Sequence, residues 1–436
     1  MQQMSIRIKG ILFILAVFAA SVRLSGQTTD ALGTYTPYSL FGIGDIARQG
    51  TAFNRGMGGI GIGVRDNRFI NYLNPASITA RDTLSFMLDF GLNQQNFYNS
   101  NGDIKSAYNT FNMQNVIFTA PIYKKSALIV GITPYSNVGY KFNAIETNDE
   151  LVSKYGDIQY QKYGEGSINQ LFIGGALNFL KKFSVGAQYV YYFGSLDKYS
   201  NIYFGTSTTV RNIINRWDYS VSSHSAQVGL QYFTNIGKKM ELTAGVTYRL
   251  KSKLTGDLKR EVIASDNSSS SQDTVVNNTI KDPNLHIPSE IGFGVSLRKR
   301  DKWMIGADFS HQSWKGSDIP EYNGVNFKPV AANSYNIGFE YIPNKYDIKS
   351  YMKRATYRIG AYYEESYVKV NNRQVKGFGV TVGTSLPIHR WYNAANFSID
   401  FGQRGSIKDN LVRERYIKFI INISLHDIWF VKYRYQ

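Results

Sequence analysis

Apolar and polar residues alternate with a period of two along most of this chain. From Leu242 the apolar set is Leu242, Ala244, Val246, Tyr248 and Leu250, and the interleaved set is Glu241, Thr243, Gly245, Thr247, Arg249 and Lys251. The pattern repeats as Phe183, Val185, Ala187 and Tyr189 against Ser184, Gly186 and Gln188, and as Trp303, Ile305, Ala307 and Phe309 against Gly306, Asp308 and Ser310. It returns near the C-terminus as Phe397, Ile399 and Phe401 against Ser398, Asp400 and Gly402, then as Ile417, Phe419, Ile421 and Ile423 against Lys418, Asn422 and Ser424. Alternation of this kind predicts strands with one apolar face. Glycine weakens a strand, so its repeated use on the polar face speaks against a soluble sandwich. Segments of about ten residues, apolar outside and polar inside, describe a transmembrane barrel.

Fourteen strands are predicted, near 83–97, 111–122, 126–142, 165–180, 182–204, 215–234, 238–262, 286–299, 302–315, 333–342, 354–370, 374–387, 394–405 and 413–425. An even count is what a bacterial barrel requires. Links after the second, fourth, sixth, eighth and twelfth strands are tight: Lys124-Lys125, Lys181-Lys182, Gly237-Lys238-Lys239, Lys299-Arg300-Asp301, and Pro387 to Trp391. The link after the tenth strand is intermediate, those after strands 1, 3, 5, 7, 9 and 13 are mostly longer, and 263–285 reads as a Ser/Asn/Asp loop. Short periplasmic turns and long extracellular loops are the outer-membrane arrangement. The predicted fold class is therefore all-β, a 14-stranded antiparallel transmembrane barrel spanning 83–425.

Composition agrees. The 436 residues include 32 Tyr, 26 Phe, 5 Trp and 39 Gly, with no Cys. Without Cys there is no disulfide scaffold, thiolate metal site or thiol enzyme. Arg7 and Lys9 precede the apolar run Ile11 to Ala20, and small residues follow, so residues 1–26 read as a signal peptide cleaved near Gly26 or after Ser21. Arg23 interrupts the run too early for a transmembrane helix. The formal charge of +17 drops by three when Arg7, Lys9 and Arg23 are removed, and the mature chain stays basic. Much of that charge sits on the tight turns, next to periplasmic headgroups, so no nucleic-acid partner is expected. His224, His286, His311, His389 and His426 are scattered, with no metal-binding pair, and no nucleophile elbow is present. Neither an enzyme nor a cofactor is expected. The lumenal carboxylates Asp308, Asp400 and Glu241 are expected to face cations such as Arg249 and Arg358 and to hold a plug.

Residues 27–82 show no clean alternation. They carry apolar residues (Tyr38, Phe41, Phe53, Met57, Ile60) among many glycines. A free tail would expose that apolar area, whereas a lumenal plug would bury it. The run Gly56-Met57-Gly58-Gly59-Ile60-Gly61-Ile62-Gly63 lacks the Gly-Lys-Ser/Thr of a phosphate loop. Its glycines are expected to permit tight packing inside the lumen.

Tyr38-Ser39-Leu40-Phe41-Gly42-Ile43-Gly44-Asp45, Arg55 to Gly61, and Asn74-Pro75-Ala76-Ser77 before the first strand form an ordered set. This set resembles the N-terminal region of the FadL long-chain fatty-acid transporter family. The resemblance implies a lumenal hatch whose motif falls here on Gly42, Gly44, Gly56, Gly58, Gly59, Asn74 and Pro75. It further implies a monomeric barrel in the outer membrane of a Gram-negative cell, taking up a hydrophobic small molecule such as a fatty acid by passive diffusion. No motif gripping a carboxylate matches, so no ligand-binding residue is assigned. Some members of that family in the Bacteroidota are accessory subunits of protein secretion or outer-membrane assembly machines. A periplasmic or outer-membrane protein partner is therefore the competing expectation. Residues 426–436, a basic-aromatic stretch, are either a tail or the end of the last strand. Whether the barrel wall has a lateral opening is left open by the sequence.

Overall fold

The computed structural model describes residues 32–428 apart from 82–84, 103, 124, 206–209, 267–271, 282, 284, 315–326, 389–392 and 408–410. The expected leader (1–26), His389 and residues 429–436 lie outside the described residues. Fourteen strands close an antiparallel barrel: β1 (Ser85–Asn101), β2 (Ile104–Pro121), β3 (Ser126–Ile145), β4 (Ile158–Phe179), β5 (Phe183–Phe204), β6 (Asn212–Ile236) and β7 (Met240–Arg249) form one half. The other half is β8 (Glu290–Lys299), β9 (Trp303–Gln312), β10 (Ala332–Tyr341), β11 (Thr356–Val370), β12 (Arg373–Pro387), β13 (Ala394–Arg404) and β14 (Arg413–Ile428). Each strand pairs with its sequence neighbours, and β14 returns to β1 from Ser85↔Ile428 to Ser100↔Arg413. Closure gives every strand a partner on both sides over at least part of its length, which is why a sheet can cross a bilayer at all.

The period-two pattern becomes inside and outside. Along β12, Val375, Gly377, Gly379, Thr381, Gly383 and Ser385 face the lumen, and Phe378, Val380 and Val382 are about half exposed on the outer wall. Exposed Ile305, Ile337, Phe339, Ile359, Phe401, Ile423 and Leu425 continue this apolar belt. The last strand runs on through His426 to Ile428, so the first residues of the expected tail belong to β14.

Two predicted segments differ. The seventh strand is not continuous over 238–262: it stops at Arg249, and Ser252–Lys253 leaves the wall to pair with His286–Ile287. Leu254, packed in the same core, draws this piece inward, and Ser223 and Ser252 fix it by side-chain hydrogen bonds. The tract read as a loop over 263–285 forms part of an antiparallel hairpin, Asp257–Ser265 with Gln272–Lys281, whose first arm pairs with β6 from Asn212 to Tyr219. Odd-numbered links are also not uniformly long. Asn371 and Asn372 connect β11 and β12 with φ of 47° and 65°, the left-handed pair of a two-residue hairpin turn.

The outer face makes a direct prediction. Val380→Arg places a charge among the lipid-facing residues and is expected to lower the unfolding free energy in bilayers by about 2–4 kcal/mol. Lys238→Ala, on an exposed turn, is expected to change it by less than about 0.5 kcal/mol. Denaturant titration of the two variants in vesicles checks both values.

Candidate functional site

Residues 33–81 fill the lumen. Three short helical pieces set their path. A 3₁₀ turn, Pro37–Leu40, begins at Thr36, whose hydroxyl accepts the Tyr38 N–H. A single α-turn, Ala52–Arg55, is held by Asn54, whose Oδ1 accepts the Thr51 N–H. A second 3₁₀ turn, Pro75–Ala80, starts at Asn74, whose Oδ1 accepts the Ala76 N–H. Proline in the first turn loses no hydrogen bond there. Between them Phe53, Met57, Ile60, Val64 and Phe69 form a small apolar core with Met304 of the wall. The rings of Phe53 and Phe69 stack at 4.4 Å.

Gly42, Gly44, Gly56, Gly58 and Gly59 all lie in this segment, and two of them, Gly56 and Gly58, meet glycines of the barrel wall. Gly58 has φ of +69°, and a Cβ there would lie 2.6 Å from the carbonyl oxygens of Ala361 and Ile337. Across the same contact, a Cβ on Gly360 would sit 2.1 Å from the Gly58 nitrogen. Gly56 packs similarly on Gly383, and Gly63 on Gly294. Gly42 and Gly44 turn the chain beside β3, and Gly59 lies against Arg48. Asn74 also donates to the Ile62 carbonyl (2.9 Å), and Pro75 rests where Gly186 and Gly229 leave room. These residues are packing positions; the structure gives them no bound molecule to contact.

Wall side chains satisfy the hatch backbone. Asp308 accepts the N–H groups of Gly61 (2.6 Å) and Ile62 (2.7 Å), Thr381 accepts that of Gly58 (2.8 Å), and Asn422 accepts that of Ala52 (3.1 Å). Gln231 donates to the carbonyls of Ile62 and Val64, and Gln227 to that of Leu73. A buried backbone group without such a partner would cost about 1–3 kcal/mol.

Charge divides between the two parts. Residues 33–81 contain Arg48, Arg55, Arg65, Arg68 and Arg81 but only two acids, Asp45 and Asp66. The wall supplies the anions. Asp400 takes Arg55 at 2.9 Å and Arg48 at 3.3 Å, and Arg48 also pairs with Glu364 and lies over the Tyr362 ring. Glu340 bonds Arg68 and is shared with Arg358 of the wall at 2.9 Å. Asp66 joins Arg68 (2.6 Å) to Arg298 (2.8 Å). At the opposite end Arg404 clamps Asp45 (2.6 Å) and Glu414 (2.8 Å). Asp308 and Asp400 thus hold the hatch, as the sequence suggested, but their partners are hatch amides and hatch arginines. Arg249 instead meets Glu290, and Arg358 meets Glu340. Burial opposes the charged form of Asp66, yet Arg298 and Arg68 outweigh it and hold its carboxyl well below the ordinary range.

The wall itself is incomplete without the hatch. β2 and β3 pair only from Val116↔Ile132 to Pro121↔Ala127. Beyond this, β3 shifts register between Pro134 and Ser136, and its upper half takes Asp45–Ile46 as partner through Asp45↔Asn137 and Ile46↔Ser136. Pro134 has no N–H to offer a ladder, which suits a bulge. Thr36 and Ala47 donate to the carbonyls of Gly139 and Tyr135, both at 2.9 Å. On the β2 side, Asn112 donates to the Gly33 carbonyl and Tyr108 stacks on Tyr35. A lateral gap therefore exists, and hatch residues 33–47 are stitched into it.

Toward the long-loop end the lumen is closed by side chains. Phe41 stacks on Phe327 at 5.1 Å, Trp314 on Tyr367 at 4.4 Å, and Tyr367 donates to the carbonyls of Phe41 and Gly44. Leu254, Leu285 and Ile287 complete this dry layer. Beneath it lies a cavity of about 220 Å³ whose walls include Arg48, Glu364, Arg249, Glu290, Arg404 and Asp45. These charges are paired with one another across the cavity walls. Ile46, Ile62, Leu73, Tyr135 and Val375 line it as well, so its wall is part charged and part apolar. His311, at a strand end, hydrogen-bonds Asn333 at 2.7 Å.

A closed 14-stranded antiparallel barrel with an apolar outer belt and a filled lumen is an outer-membrane barrel fold. Solved structures agree. A Pseudomonas putida toluene transporter, TodX, superposes with a TM-score of 0.60 at 14% identity, covering 88% of this chain and 100% of that one. A Pseudomonas aeruginosa FadL homologue gives 0.59 at 10% identity, covering 88% and 100%. The Ralstonia pickettii toluene transporter TbuX gives 0.55 at 14%, covering 86% and 98%. At these identities the likeness is one of fold. No curated protein matches the chain. A family model does, over residues 7–436, and the chain belongs to the BamG family.

Two outcomes follow from the buried charges. Asp400→Ala strands Arg55 in the lumen and is expected to destabilise the seated hatch by about 3–5 kcal/mol. Faster proteolysis within residues 33–81, with the barrel still intact on gels, is the readout. The second concerns pH. A carboxyl whose folded value is depressed contributes stability above its unfolded value, near ~3.9 for aspartate. That stability is lost as pH falls through the lower folded value. The Asp66 anchor is thus expected to hold at pH 5 and to loosen only well below pH ~4, and Asp66→Asn is expected to abolish this acid transition in the protease assay.

Proposed function

We propose that this barrel works as a sealed accessory subunit of an outer-membrane protein assembly or secretion complex, binding protein partners without carrying lipid. The observation that supports the reading best is the seating of residues 33–81. They are fixed by ion pairs at both ends of the lumen and by strand pairing in the wall gap. The space left beneath the aromatic layer is small, and paired charges such as Arg249 with Glu290 and Arg404 with Asp45 share its wall with apolar residues. A channel for hydrophobic molecules works through apolar pockets of about 300–1,000 Å³, and this cavity of about 220 Å³ is smaller than that. Membership of BamG, a family defined apart from the hydrocarbon channels, fits a barrel given a different task. Monomeric closure is consistent with this role, since each barrel is complete in one chain.

A second reading, passive uptake of a hydrophobic small molecule, draws on the fold likeness to toluene transporters and to a FadL homologue. It requires the hatch to move. Gentle extraction from native membranes followed by native mass spectrometry separates the two. The expected result is a stoichiometric protein partner and no retained acyl chain or aromatic. A lone barrel that carries a hydrophobic molecule would overturn the subunit reading in favour of uptake.

A further inference from the structure

At the short-turn end the hatch does not reach the rim. A cleft of about 700 Å³ opens there, floored by Asp66, Asn67 and Ala80 and walled by inward positions of β6, β7 and β8. Six cations line it: Arg65, Lys181, Lys182, Arg298, Arg300 and Lys345. Three acids stand beside them, and two are already engaged, Asp66 with Arg298 at 2.8 Å and Asp301 with Lys345 at 2.8 Å. The third, Glu241, acts on Arg65. Lys181, Lys182 and Arg300 have no ion-pair partner among the described residues. The turn carrying Lys181 is held in the left-handed region, with φ of 49° at Leu180 and 61° at Lys181. This concave surface therefore keeps three uncompensated positive charges in one cleft of ligand-pocket size.

We infer that this periplasmic vestibule is a docking site for an acidic segment of a periplasmic partner protein, a run of several carboxylates entering the barrel mouth. The inference rests on the accessory-subunit reading and names where the partner binds. Placement favours a peptide over a lipid headgroup. The cleft is bounded by lumen-facing side chains such as Phe233, Glu241 and Arg298 and by the hatch, so a headgroup would have to leave the bilayer plane to reach it. Arg65 and Arg298, anchored to Thr79 (2.8 Å) and to Asp66 and the Arg65 carbonyl (2.9 Å), form a rigid inner wall. Lys181, Lys182 and Arg300 at the rim are free to meet the incoming charges.

The test uses the full chain in detergent with a fluorescein-labelled hexaglutamate peptide as probe, read by anisotropy at low and physiological salt. Binding that weakens with salt is expected, and Lys181→Glu/Lys182→Glu/Arg300→Glu should weaken it at least tenfold. Lys238→Glu/Lys239→Glu, on a neighbouring turn outside the cleft, should change it less than twofold. Equal loss in both variants would mean diffuse attraction and would overturn the site. Displacement of the peptide by phosphatidylglycerol in the micelle would make this a headgroup site and overturn it too. Purifying the triple variant from native membranes separates this inference from the reading beneath it. If the partner seen with the unaltered chain stays bound to the variant, the subunit reading stands and the vestibule is not the contact. If the unaltered chain brings no partner at all, the subunit reading fails, and the inference with it, whatever the peptide does.

Discussion

The seating of three arginines, Arg48, Arg55 and Arg68, inside a closed barrel governs the rest of this structure. A guanidinium out of water must be paired, because an uncompensated buried charge costs several kcal/mol. The wall answers with Asp400, Glu364 and Glu340, and Glu414 holds Arg404, the clamp on Asp45. Neither part is electrostatically complete alone. A hatch drawn out of the lumen would take from Asp400 and Glu364 the arginines they bind, and the barrel would keep a ladder gap between β2 and β3. The same reciprocity appears in the backbone, where Asp308 and Thr381 stand in for the strand or helix partners that residues 58–62 lack. The hatch is thereby the core of the protein: it has a small apolar centre around Phe53 and Phe69, and Phe41, Ile43, Ile70, Tyr72 and Ile78 join the wall in a larger apolar cluster.

Shape follows the same logic. Glycines on the polar face of β8 to β12 form shallow seats, and glycines of the hatch press into them backbone to backbone, as Gly58 does on Gly360. Such contact leaves little room for a solute to pass. The cavity that remains beneath the aromatic layer is small, with a wall part charged and part apolar. The wider opening lies at the short-turn end, where six cations outnumber three acids.

Much of this was legible in the sequence. Alternation placed the fourteen strands, because the barrel gives successive side chains to lipid or lumen, but it started the second and fourth seven residues late, at 111 and 165 where the strands begin at Ile104 and Ile158. It failed between Arg249 and Asp257, where Ser252 and Leu254 keep the alternation while the hydrogen bonds pass to His286–Ile287. Periodicity records which face a residue takes and is silent about which strand it joins. The Asn371-Asn372 turn carried a hairpin signal that went unused. The hatch motif glycines lie in the segment that fills the lumen, but its anchors did not show themselves: Gly61 and Asp308 are 247 positions apart, and Arg55 and Asp400 are 345. A signal was nevertheless there. Five arginines against two acids over residues 33–81, facing strands whose polar sides carry Asp308, Glu340 and Asp400, is a charge complement that could have paired the two parts.

A hatch that stays in place is the central claim, and the chain's lack of cysteine allows a clean trial of it. Ile46 and Ser136 face each other across the antiparallel pair that fills the wall gap. Opposed residues of this kind lie about 4.5–5.5 Å apart at Cα, within disulfide range. Ile46→Cys with Ser136→Cys would lock the hatch to β3 on oxidation. Cells depending on the locked protein should grow, and should retain its partner, as well oxidised as reduced. Loss of function on oxidation that a reductant restores would show that the hatch must open, and would contradict the account.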